Sequence, residues 1–475
     1  MGIKYSVKNI SNFSAENSCR FDYKFIDDYN FTNNGFYTYK DLFDFVDVDN
    51  KILLAEDKPF EYVEIGCVNK IGDVSPHKLS YENRDELNEP LFKKIEKGDI
   101  IKPQLDDILI SKIRPYLNKI VLINDDSHYF TKAFIQIRPK VNSKLLYYCL
   151  RSVFLNKINS VSRQGKGYPT LKENDIKTIQ FSSKIIDNLE VNKDLILSEI
   201  EPLENEISIL KGKRINTKVL LDKVFSNSFK IDLESIKEID DINKINVPIH
   251  LITSRNINFR NSYRWFKIQS LQKQLYKEIN CIKKLGNHII STKNGWSPSS
   301  QEGGDGTPIL GQEHFNYDSH LNINANKTTQ ETRNKIEDFY IKKGDFFVSR
   351  GNTIDLVALA SIVEEEVEDD ILFPDLYIKM IFDDEINDKY LAYLFNSFLG
   401  RYYFKYVSKG KNQTMVKISS TELDNFYLPI PDKKKQLTIV NKIKKQIDAQ
   451  KEIDKRIAEK QAEISAIIEK AIQTE

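Results

Sequence analysis

Cysteine is scarce in this sequence: Cys19, Cys67, Cys149 and Cys281 lie far apart and form no CxxC pair. That spacing argues against a thiolate metal site and a disulfide framework, and favours reduced thiols in a cytoplasmic protein. Long apolar runs are absent too, since no stretch approaches the roughly 20 residues that span a bilayer. The opening MGIKYSVKNISNFSAENSCR lacks the apolar core and small-residue cleavage site of a secretion signal. Charge of either sign is not in excess: Lys and Arg number 70, Asp and Glu 69, and the formal net charge is +1. A nucleic-acid binder of this composition would have to segregate its cations from its acids.

Motifs that carry chemistry are missing as well. No GxGxxG follows a strand, and there is no GxxxxGK[ST], no HExxH and no GxSxG. Gly303, Gly304 and Gly306 precede Thr-Pro instead of a helix, which predicts a turn. His314 and His320 flank Asp318, a weak metal pattern against the commoner reading as loop residues. An adenine methyltransferase would need a Gly-rich cofactor loop and an Asn/Asp-Pro-Pro-aromatic motif, and neither occurs. A nuclease would need clustered acids with a Lys; Asp345 and Asp375 lie on plausible strand edges, while Glu364–Glu366 reads as a solvated loop. The sequence therefore predicts no active site, no bound cofactor and no metal.

What the chain does have is a repeat. At 475 residues it is too long for one ordinary core. Asn17–Arg20 (NSCR) returns as Asn261–Arg264 (NSYR), Asp107–Lys112 (DILISK) as Asp345–Arg350 (DFFVSR), and Leu145–Leu150 is echoed by Tyr390–Phe395. Ser162–Lys166 (SRQGK) is echoed by Ser408–Lys411 (SKGK), so four matches recur in the same order at an offset of roughly 240 residues. Each half begins with short β-like runs, such as Tyr62–Val68, Ile108–Ile113, Lys119–Ile123 and Phe130–Ile137, passes through a helical signal and ends in a long charged helix. In the first such helix Ile196, Ile200, Leu203, Ile207 and Leu210 follow a 3.5-residue seam, which Pro202 and Gly212 are expected to kink or break. In the second, Leu437, Val440, Ile443, Ile447, Ile453, Ile457, Ile464, Ile468 and Ala471 mark the stripe. From Lys434 to Ala471 it would run about 57 Å. A stripe of that length needs a partner: the other helix, its own globular head, or a second copy of the chain.

One segment per half combines cations, amides and glycines, and a second candidate in each half is basic. One pair is Ser162–Thr170, with Arg163, Gln164, Lys166 and Tyr168, and Ser408–Lys417, with Lys409, Lys411, Asn412 and Gln413. The other pair follows the Asp-led strands: Lys112, Arg114 and Tyr116, and in the second half Arg350 and Asn352. Arg and Lys can pair with guanine or phosphate, Asn and Gln with adenine, and glycines let a backbone come close to a duplex. A solvated loop is the alternative for each segment taken alone. Trp296 is a further contact candidate, or the anchor of a small hydrophobic cluster.

These residues resemble the specificity subunits of type I restriction–modification systems. Lys343–Thr353 (KGDFFVSRGNT) looks like that family's GD-L-hydrophobic-SR-x-N segment. Thr421–Pro431 with Gln436 and Ile439 is similar to its entry into a spacer helix, and Asn261–Arg264 to the opening of each recognition domain. The first half departs from the pattern: Asp106 replaces the usual glycine, and Phe181–Lys184 lacks the Pro-x-Pro and the Gln. The resemblance implies an α+β chain of two tandem, similar target-recognition domains, each followed by a long helix, the two helices pairing as an antiparallel coiled coil. The expected divisions are 1–185, helix 186–228, 229–432 and helix 433–475. It further implies double-stranded DNA as ligand, a two-part target, and docking of methyltransferase subunits that supply S-adenosylmethionine chemistry; a restriction motor subunit can join. Two rival readings remain open: a non-cutting methylation or phage-exclusion system, and a coiled-coil scaffold with two protein-binding heads.

Overall fold

The computed structural model describes residues 35–47, 52, 54, 58–82, 84, 88–164, 168–241, 263–412 and 415–473. The chain folds into two units, one of the residues up to Gly212 together with those from Arg456 onward, the other Lys213–Lys455. Both mix helices with β-sheet. Asn17–Arg20, Asn261 and Ser262 lie outside the described residues.

In the first unit the apolar run Ile108–Ser111 is buried throughout, as a strand covered on both faces requires. It pairs antiparallel with Phe134–Pro139 on one side and Ile120–Leu122 on the other, in the register Ile108↔Ile137 and Ile110↔Ile120. Phe43–Phe45 adds the fourth strand beyond Phe134–Pro139. Asn142 caps the helix Ser143–Arg151 by accepting the Leu145 N–H at 3.1 Å. That helix buries Leu145, Leu146, Cys149 and Leu150, one face at helical spacing.

The second unit repeats the plan. Phe346–Ser349 lies between Tyr377–Phe382 and Ala360–Ile362, with Ile289–Asn294 outermost, in the register Phe346↔Met380 and Val348↔Ala360. Asn387 caps the helix Asp388–Asn396 through the Tyr390 N–H at 3.0 Å. Ahead of the central strand the backbone enters the left-handed region, at Gly344 (φ +86°) here and at Asp106 (φ +68°) in the first unit. Asp106, which stands where the resemblance expects glycine, thus falls where glycine is the unstrained choice.

Two expected strands are shorter than their apolar runs. Tyr62–Val68 yields Phe60–Val63 and then a tight turn at Ile65–Cys67. Phe130–Ile137 splits into Tyr129–Phe130 and Phe134–Pro139, because the Thr131 hydroxyl takes the Ala133 N–H and turns the chain. The glycine-rich segment joins Gln301–Glu302 to Thr307–Ile309, the turn that was expected.

The helix Lys193–Gly212 continues through Pro202 and buries Ile196, Ile200, Ile207 and Leu210. The chain leaves helix only after Gly212, and Thr217–Phe229 restarts it under an Asn216 cap. Lys433–Gln473 is unbroken. Its stripe departs from expectation at Leu437, which is 50% exposed, whereas Ile443, Ile457, Ile464 and Ile468 are buried. In the first unit Lys460 lies 3.4 Å from Glu206. In the second, Arg214 meets Asp454 at 2.8 Å, the Ile215 N–H meets Gln450 at 2.7 Å, and the Lys435 ammonium sits 4.8 Å over the Phe229 ring. As one number rises the other falls, so the two segments run antiparallel within this unit. They also enter the head's own core, where Leu221, Val224 and Phe225 share a cluster with Ile439, Ile443, Tyr390 and Phe395. No helix among the described residues is long and apolar enough to cross a membrane.

Candidate nucleic-acid interface

In the first unit the two candidate segments are neighbours in space. The chain leaving the central strand bridges to the returning strand at Ile113↔Thr170, the Leu171 N–H donates to the Lys112 carbonyl (2.8 Å), and the Arg114 N–H to the Pro169 carbonyl (2.9 Å). Pro169–Thr170 pairs in turn with Arg163–Gln164, making a hairpin. Arg114 is exposed, in the left-handed region (φ +51°), and its guanidinium lies 5.5 Å over the Tyr168 ring. A stacked, planar cation of this kind keeps its hydrogen-bond donors free at the edge for guanine or phosphate. Lys112 points elsewhere: it is half-buried, its ammonium donates to the Lys132 carbonyl at 2.7 Å, and burial pushes its pKa down.

Arg163 is also engaged. Its Nε and Nη2 both reach Oδ1 of Asp175, at 2.7 and 2.6 Å, while Asp175 Oδ2 accepts the Lys172 N–H at 2.9 Å. Asp175 is 1% exposed and sits in the short helix Glu173–Ile176 just past the hairpin. Lys166 lies outside the described residues, as do its neighbours Gly165 and Gly167.

The second unit assembles the same parts. Gly351–Asn352 pairs with Met415–Lys417, which pairs with Lys409–Asn412, and the Ile418 N–H donates to the Arg350 carbonyl at 2.9 Å. Gly410 is required here, since a Cβ would stand 2.7 Å from the Met415 carbonyl oxygen. Lys409 reaches Glu422 Oε1 at 2.6 Å, and Glu422 Oε2 accepts the Ser419 N–H at 3.0 Å and the Ser419 hydroxyl. Burial raises the pKa of the Glu422 carboxyl, yet the bonds from Lys409 and Ser419 outweigh it and hold the group below the usual range. Arg350 donates to the Asp375 carbonyl at 3.2 Å, and the Asn352 amide to Gln312 at 3.3 Å, where Ser349 also donates. Lys411 and Asn412 belong to the outgoing strand, and Gln413 and Thr414 lie outside the described residues.

The sequence reading missed Asp175, Glu422 and Gln312. Ser419-x-x-Glu422 spells a capping box, a signal that could have placed Glu422 on a helix start; nothing in the pattern marks the other two. Asp107 and Asp345 share a structural duty. Asp107 takes Gln136 (2.7 Å) and Arg138 (2.9 Å), and Asp345 takes Lys379 (2.6 Å), tying the central strand to its neighbour. His314 is buried against the Asn322 carbonyl and His320 faces Glu365; among the described residues no cluster of His, Cys, Asp and Glu is placed to hold a metal. Trp296 packs on the cluster around Phe339 and Phe373, with the Arg333 guanidinium 5.3 Å over its ring.

Each unit thus mixes helix and sheet, with a short polar hairpin beside the exit of the central strand. The solved structures that the chain is similar to include chains from type I restriction–modification systems, two of them specificity subunits. They include the HsdS subunit of Thermoanaerobacter tengcongensis (16% identity, 93% of this chain and 97% of that one, TM-score 0.29). A type I restriction–modification S subunit from M. genitalium matches with 12% identity over 94% of this chain and 98% of that one, at a TM-score of 0.34. A chain from a type I R-M system, solved for its complex assembly and conformational transition, matches with 16% identity over 91% and 97%, at 0.31. No family model and no curated protein matches the chain.

Proposed function

We propose that this chain is a non-catalytic DNA-recognition subunit of the type I restriction–modification kind, in which each head reads one half of a bipartite target. The observation that carries the reading is the hairpin built twice, at equivalent places, from segments that are separate in sequence and rich in Arg, Lys, Asn and Gln. Two such hairpins on one chain suit a stiff duplex, because two half-sites at a fixed gap can be engaged together. In this reading the closing helices pair as an antiparallel coiled coil that sets the gap, and methyltransferase subunits dock on the chain and bring S-adenosylmethionine. A restriction motor subunit can join the complex, whose place is the cytoplasm.

The test is to co-purify the full chain with an adenine methyltransferase of a type I system, one encoded beside it where the genome holds one, and map methylated adenines across a genome. A two-part motif with a constant gap is the expected result. Replacing Lys409, Lys411 and Gln413 together with Ala should degrade one half of that motif and leave the other legible; equal loss in both halves would contradict the modular scheme. Deleting seven residues from the Lys433–Gln473 helix should change the gap or abolish assembly, and an unchanged gap would refute the ruler.

A further inference from the structure

We infer that Asp175 and Glu422 are positioning residues, each clamping the root of a DNA-reading hairpin so that its two strands are held against the neighbouring helix. This rests on the recognition reading above and assigns it two acids that the sequence patterns did not single out. In both units the first cation of the hairpin, Arg163 or Lys409, is held by a carboxylate from the short helix that follows the returning strand. In both, that carboxylate divides its oxygens in the same way. One faces the cation, and the other takes the backbone N–H three residues earlier, from Lys172 or Ser419. Both acids are almost wholly enclosed, at 1% and 4% exposure, while Arg163 and Lys409 keep a solvent-facing side.

The two clamps are chemically exchanged but equal in reach. Arg, the longer cation, meets the shorter Asp; Lys, the shorter cation, meets the longer Glu. A pair kept only for bulk charge has no need of matched lengths, whereas a pair that fixes the distance from hairpin to helix does. The clamped cations commit donors to the carboxylate, so the reading falls more to Arg114 and Tyr168 in one unit and to Asn352 in the other. Holding the hairpin strands in place in advance lowers the ordering cost of binding.

The experiment uses the full chain and a library of random-sequence duplexes, from which wild-type protein selects its sites, followed by titration with the selected duplex. Glu422→Gln should raise the dissociation constant about tenfold through the half-site read by the second unit, with the other half-site unaffected; Asp175→Asn should do the reverse. Hydrogen exchange gives a readout independent of DNA. The amides of Lys409–Asn412 and Met415–Lys417 should exchange about tenfold faster in Glu422→Gln, while those of the central strand Phe346–Ser349 stay protected. The double variant Lys409→Arg with Glu422→Asp, which installs the first unit's pair in the second, should restore both values to within about threefold. It also decides the matter if Glu422→Gln fails to fold. Unchanged exchange, unchanged affinity, equal weakening of both half-sites, or a double variant no better than the single ones would each overturn the clamp. A wild-type chain that selects no duplex would instead overturn the recognition reading, and the clamp's role with it.

Discussion

Asp106 spends its backbone in a conformation that suits glycine. It holds φ at +68°, and its carboxylate accepts a 2.7 Å hydrogen bond from the Ser143 hydroxyl. Asp106→Gly should therefore stabilise the protein by about 1 kcal/mol in urea denaturation, since the left-handed region costs an L-residue about 1–2 kcal/mol and the lost bond offsets part of that gain. Asp222 poses a different residue-level problem. Its carboxylate takes the Phe398 N–H at 2.6 Å, yet burial lifts its pKa to about 6. The folded value lies above the unfolded one, so its contribution to stability is full below the ordinary value of 3.8 and is lost as pH rises through about 6. Asp222→Asn keeps an acceptor for Phe398 and should flatten the fall in the urea midpoint between about pH 4 and pH 7. A variant as pH-sensitive as the wild type would exclude this group as the cause. At this scale the sequence marked segments that the fold brings together, and not which of their atoms are free. It could mark Arg163 and Lys409 as cations in a loop, but their engagement depends on acids 12 and 13 positions away whose approach is set by tertiary folding.

Among elements, the long helices and the buried central strands were legible because their apolar periodicity is strong. Their details were not. Leu437 fits the 3.5-residue stripe yet lies 50% exposed, because near its start the helix packs on the second unit through Ile439, Val440 and Ile443. Ile443→Ala should cost about 2–5 kcal/mol, and Leu437→Ala within about 0.5 kcal/mol of nothing. Comparable losses in thermal unfolding would show that the packed face has been misassigned. Pro202 illustrates a second limit. Local chemistry predicts a kink or a local break; Lys193–Gly212 stays helical around buried Ile200 and Ile207, so packing on both sides outweighs the missing N–H and no break occurs at Pro202. The strand run Phe130–Ile137 failed in the opposite direction, through one threonine hydroxyl that turned an apolar stretch at its middle.

For the molecule as a whole, the duplication was the most readable feature, and the two sheets with matching strand order agree with it. A net charge of +1 gives no sign of the proposed DNA binding, which would rest on a few local cations. Binding to duplex DNA should still weaken by at least about tenfold between 50 and 200 mM salt, as phosphate contacts demand. Arg114→Ala should cost about 1–3 kcal/mol at one half-site only. Salt-independent binding would favour a protein-binding scaffold instead.

A loop closed at its base by a salt link has a useful mechanical property: what happens at its far end is not transmitted to the sheet beneath. Thr170 and Lys417 pair with Ile113 and Gly351 on the sheet side of that link. In the proposed reading, substitutions beyond the link would leave these pairings in place. New sequence preferences would then arise in one half of the protein while the scaffold, and the preference of the other half, stay as they were.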